Sequence, residues 1–131
     1  MPNDINALIS QGVNMMRIDE HQKALPFLDR AIDQSNENAI ALANRGIINL
    51  KLDRLDQAEK DYSTIAAVFA KRSADVPFQI SYGLGETAYR KKDYKKALLH
   101  YESYMKFAPP GTSEALRVQE RVKELKAAKK G

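Results

Sequence analysis

Apolar residues recur along this chain with the 3.6-residue period of helices, and nowhere with the strict alternation of half-buried strands. Leu42, Ile47, Ile48 and Leu50 lie in one amphipathic run. Ala58, Tyr62, Ile65 and Ala66 continue a second at i, i+4, i+7 and i+8. Near the end, Ala115, Val118, Val122 and Leu125 form a stripe at i, i+3, i+7 and i+10 on an otherwise charged segment. Polar pairs break the runs at Asp19-Glu20, Asp53-Arg54 and Lys92-Asp93. The pattern predicts an all-α chain of seven helices, six in hairpin pairs and a seventh over about 113–129. Thr112 or Ser113 caps that last helix and Glu114 suits its positive N-terminal end.

The pairs repeat. Gly12, Gly46 and Gly85 each stand twelve residues before an alanine: Ala24, Ala58 and Ala97. Four residues later comes a large side chain: Leu28, Tyr62 or Tyr101. The first two repeats are offset by 34 residues and the next two by 39, which places an insertion of about five around Lys71–Pro77. Small residues are expected where two helix axes cross closely, because a bulkier side chain would hold them apart. The large residue then fills the cleft toward the next helix.

This spacing resembles the tetratricopeptide repeat, a 34-residue helix–turn–helix unit. The repeats run over about 5–38, 39–72 and 78–111, with a capping helix over about 113–129, in a single domain covering 1–131. The third is the closest match: Leu84-Gly85, Ala97, Tyr101 and Pro109 fall on the family's positions, and KKDYKKALLHYE is typical of its turn and second helix. Several positions depart from the pattern. Leu8, Leu42 and Ser81 stand where Trp is frequent, and Gln11 and Arg45 where Leu is usual. Ile65 and Tyr104 replace a small residue, and Ala70 replaces the closing Pro, so the fourth helix is expected to run on toward Ser73. Pro26 sits early in the second helix, where it is tolerated within about one turn of the start. The resemblance implies an α-solenoid of antiparallel helix pairs in a right-handed superhelix, with a terminal helix covering the last repeat's apolar edge.

Composition narrows the chemistry. The chain has 131 residues, no Cys, no Trp and two His. Disulfides, thiolate metal sites and cysteine nucleophiles are therefore excluded. No apolar run reaches the roughly 18–20 residues of a membrane span. No leader-like basic-then-apolar start is present, so the cytoplasm is the default expectation. No HExxH, phosphate loop or nucleophile motif occurs, so no enzyme and no cofactor is expected. His21 occupies the turn position of Leu55 and Tyr94 and reads as a packed structural residue. His100, among Leu98, Leu99 and Tyr101, reads as a helix-surface one. The polar QSNENA stretch from Gln34 reads as a solvated link between repeats.

The resemblance implies that the first helices of the repeats line a concave groove for a peptide or helix of another protein. The positions are Ile9, Val13 and Met16, then Ile40, Asn44, Ile47 and Leu50, then Tyr82, Glu86 and Tyr89. Such a face is apolar for a surface, and a large exposed apolar patch marks an interaction site. The competing reading is that these residues thicken the core. A subset of the family clamps a chaperone's C-terminal carboxylate with Lys, Asn and Arg. Only Asn44 matches here, with Ile9, Val13, Gln79 and Gly83 at the other clamp positions, so that activity is rejected.

Charge adds a second face. Residues 1–66 carry seven Lys/Arg against ten Asp/Glu, whereas 67–131 carry fourteen against seven. Arg90, Lys91, Lys92, Lys95 and Lys96 cluster, followed by Arg117, Arg121, Lys123, Lys126, Lys129 and Lys130. They are candidates for an acidic protein or nucleic acid, or simply solvate exposed helices. Aromatic interleaving for bases is thin, which ranks nucleic acid below protein. Self-association through the N-terminal repeat edge, which no preceding helix covers, is the remaining expectation.

Overall fold

The computed structural model describes residues 4–130, with side chains to 128. Seven helices account for them: α1 (Ile5–Arg17), α2 (His21–Gln34), α3 (Ala39–Lys51), α4 (Leu55–Lys71), α5 (Phe78–Arg90), α6 (Tyr94–Phe107) and α7 (Ser113–Lys130). No strand occurs among the described residues. Helices α1 and α2, α3 and α4, and α5 and α6 pack as pairs. The basic residues Lys129 and Lys130 have side chains outside the described set.

Each pair closes by the same backbone device. Asp19, Asp53 and Lys92 take the left-handed conformation, with φ of 60°, 59° and 64°. In each case the next N–H reaches back five residues: Glu20 to Met15, Arg54 to Asn49 and Asp93 to Ala88, at 2.8, 2.7 and 2.9 Å. This satisfies an orphan carbonyl at the helix end and reverses the chain. A fourth such turn follows α4, where Ser73 has φ 53° and Ala74 N–H meets the Phe69 carbonyl at 3.0 Å. That turn ends α4 at Lys71, just short of the expected Ser73. N-caps come from Asp4, Asn38, Asp93 and Thr112, each side chain accepting from the N–H three residues on. Pro26 is exposed and sits past the first turn of α2, which continues through it to Gln34.

The repeated glycines explain the close pairing. A Cβ on Gly12 would lie 2.9 Å from Leu28, one on Gly46 3.0 Å from Tyr62, and one on Gly85 2.6 Å from Tyr101. The large residue therefore packs onto its own repeat's glycine. It also meets the next helix, Leu28 clustering with Ile48 and Tyr101 with the stripe of α7, and the glycine is needed because the large side chain fills the space a Cβ would take.

The chain divides into two compact units, one ending at Ala74 and one beginning at Asp75. The sequence reading expected one continuous domain; the division falls within the insertion at 71–77. The first unit holds α1 to α4, with a core that includes Ala24, Leu28 and Ile48. The second holds α5 to α7. Its core is Ala88, Ala97, Tyr101 and Tyr104 covered by Ala115, Val118, Val122 and Leu125 of α7. The stripe read from the sequence is thus the buried face of the last helix.

Candidate functional site

In the first unit, α1 and α3 lie side by side. Val13 and Met16 belong to α1, and Ile40, Asn44 and Ile47 to α3. Ile40 is 63% and Ile47 37% exposed, an uncommon position for two isoleucines two turns apart on one helix, α3. Val13, Met16 and Asn44 are half-buried. Met16 packs partly against the core beneath. The Asn44 amide donates to the Ile40 carbonyl at 2.8 Å, which holds that side chain along its own helix. Ile9 and Leu50 are buried and offer no surface to a partner.

The second unit treats the corresponding positions differently, because α7 supplies partners for all three. Tyr82 OH accepts from Arg117 at 3.2 Å. Tyr89 OH donates to Glu124 at 3.2 Å, and the Arg121 guanidinium lies 4.2 Å above the Tyr89 ring. Glu86 is only 3% exposed. It forms an ion pair with Arg121 and accepts from Tyr101 OH at 2.8 Å, while Arg121 also donates to that hydroxyl at 2.8 Å. The expectation of an open face is corrected at Glu86, while Tyr82 and Tyr89 are half-buried and engaged by α7: a carboxylate this deeply buried needs a charged partner, and Arg121 provides it. The sequence reading treats Arg117 and Arg121 only as charge. The sign that they clasp α5 was the glutamate lying among the small and apolar residues of α5.

A second polar network explains a departure from the repeat pattern. Arg45, standing where Leu is usual, reaches Asp61 at 2.8 and 3.1 Å and Asp29 at 2.9 Å. Asn49 donates to Asp61 at 3.1 Å. The hydrogen bond that Arg45 donates to Asp61 is the main reason that the Arg45 pKa lies above its ordinary value. This network ties α2, α3 and α4 together.

The basic residues Arg90, Lys91, Lys92, Lys95 and Lys96 are all exposed across the end of α5, the turn and the start of α6. Beside them lies a cleft of about 500 Å³ walled by Tyr94, Lys95, Leu98, Leu125 and Ala128. His21 is half-buried, its Nε2 3.8 Å from Asp19. Among the described residues, no three His, Asp or Glu side chains converge as metal ligands. Nor is any of their helices long and apolar enough to cross a membrane.

Solved structures match this arrangement. The Sgt2 TPR domain from Aspergillus fumigatus superposes with a TM-score of 0.81 at 22% identity, over 97% of this chain and 82% of that one. The first TPR domain of human RPAP3 gives 0.79 at 17% identity, over 99% and 98%. The chain has the tetratricopeptide-repeat fold. A MamA RS-1 double mutant gives 0.73 at 17% identity, over 97% of this chain and 78% of that one. No family model and no curated protein matches the sequence.

Proposed function

We propose that this TPR-fold chain is a non-enzymatic protein-interaction module, and that the α1/α3 face of its first unit receives an apolar or amphipathic segment of another protein. The exposure of Ile40 and Ile47, two turns apart on α3, carries this reading. Val13 and Met16 extend the same patch, and methionine adapts to irregular partners. TPR domains among the structural neighbours support an interaction role in general. The sequence reading placed Tyr82 and Tyr89 in the same surface; engaged by α7, they are left out of it here.

The test compares wild type with an Ile40→Glu/Ile47→Glu variant of matched helix content in affinity capture from a lysate of the source cells. Both sites are at least partly exposed, so folding should survive. A protein held by wild type and lost by the variant supports the reading. Equal capture by both refutes it.

A further inference from the structure

We infer that the cleft between the start of α6 and the end of α7 is a second docking site, and that it takes an apolar side chain from a protein segment with acidic flanks. It is separate from the α1/α3 face and stands or falls independently of it.

The cleft is built in advance. Leu125 forms a buried floor and Leu98 packs against the core of its unit. Tyr94, 47% exposed, is fixed edge-on against Tyr89 at 5.7 Å between ring centres. Ala128, with no bulk of its own, leaves the far side open. Leu, Ala and the Tyr ring offer such a space few hydrogen bonds, so what fits is an apolar side chain.

The rim selects the flanks. Lys95 lines the cleft, and Lys92 stands at the tip of the adjoining turn. Neither has an ion-pair partner among the described residues. The nearby carboxylates are already engaged: Asp93 caps α6 through the Lys96 N–H, Glu102 pairs with Lys126 at 3.5 Å, and Glu124 accepts from Tyr89. An apolar cleft with uncompensated cations beside it is complementary to an apolar residue flanked by Asp or Glu. Nucleic acid fits less well. Tyr94 already packs against Tyr89, and leucine and alanine walls give bases no stacking platform.

The probe is a fluorescein-labelled synthetic helical peptide with a Leu/Phe stripe flanked by Glu. Its counterparts replace every Glu by Lys, or the stripe by Ala. Binding is read by fluorescence anisotropy. The acidic peptide should bind and both counterparts should bind far more weakly. Lys92→Glu/Lys95→Glu should weaken binding roughly tenfold or more, since reversing each charge turns an attraction into a repulsion. Both lysines are exposed, so helix content should not change. Leu98→Asp should abolish binding; being half-buried, it is interpreted only together with the surface variant. Ile40→Glu/Ile47→Glu should leave binding unchanged, which separates this site from the proposed groove. The inference is overturned if no peptide binds, if the Lys or Ala counterpart binds equally, if the lysine variant binds normally, or if an oligonucleotide competes as well as the acidic peptide.

Discussion

Replacing Gly85 by Ala tests what holds the helix pairs together. The added Cβ would stand 2.6 Å from both Cδ1 and Cε1 of Tyr101, about 1 Å inside ordinary contact. The ring has little room to yield: Tyr101 is fully buried, and its hydroxyl is held by Glu86 and Arg121, each at 2.8 Å. Overpacking of this kind costs about 1–3 kcal/mol, and the fixed ring puts Gly85 at the upper end. Alanine returns about 1 kcal/mol through its better helix propensity. The expected net loss is about 2 kcal/mol, or roughly 5–10 °C in Tm for a chain of this size. Gly46→Ala is the internal control. There the nearest atoms are the far edge of the Tyr62 ring at 3.0–3.2 Å, so a shift of a few tenths of an ångström suffices and the propensity gain offsets it. The two variants share the propensity gain, so their difference isolates the packing term. Urea and thermal unfolding followed by far-ultraviolet circular dichroism would measure both. If Gly85→Ala proves no more damaging than Gly46→Ala, the argument that the aromatic ring dictates the glycine is wrong.

Two further outcomes follow from the polar networks. Arg45→Leu restores the residue usual in the repeat but strands Asp61, only 2% exposed, with Asn49 as its remaining partner in that network; it should cost roughly 2–4 kcal/mol. Adding Asp61→Asn should recover part of that loss in urea unfolding, and a neutral Arg45→Leu would contradict the assignment. Burial is the main cause that raises the pKa values of Tyr82, Tyr89, Tyr101 and Tyr104, Tyr101 most strongly. The folded state therefore holds these phenolic protons more tightly than the unfolded chain, so their contribution is intact below about pH 10 and falls as pH rises beyond it. Phenolate absorbance should lag at these four of the six tyrosines until helicity is lost; ordinary titration of all six with the helices intact would refute it.

The repeat was legible because three of its requirements are local or periodic. A glycine beneath a large side chain, a polar turn and an amphipathic stripe recur at fixed spacing, and each maps onto backbone geometry. The left-handed residues show this well. Asp19 and Asp53 suit that conformation, whereas Lys92 does not, yet all three make the same turn because the pairs they join are alike. The buried stripe of α7 was read correctly for the same reason. A helix that must cover an apolar edge carries its period in the sequence whatever lies beneath.

The docking surface was less legible, and Glu86 shows why. Periodicity identifies which face of a helix a residue occupies, but not what lies against that face. On α5 the positions that match Val13 and Met16 point toward α7, so Glu86 and Tyr89 became a clasp instead of a surface. The charge of Arg121 reads as solvent-facing in the sequence, but its hydrogen bond to Tyr101 holds it half-buried against α5 and α6. In the first unit the converse held: Arg45 looked like a departure from the pattern and proved to be the link among three helices. Ile9 and Leu50 lie within one turn of Val13 and Ile47 on the same helices but sit deeper, a difference of degree that spacing alone does not carry. Exposure of Ile40 and Ile47 is thus a tertiary outcome, and it makes a surface argument possible where the sequence period left a groove and a thicker core in competition.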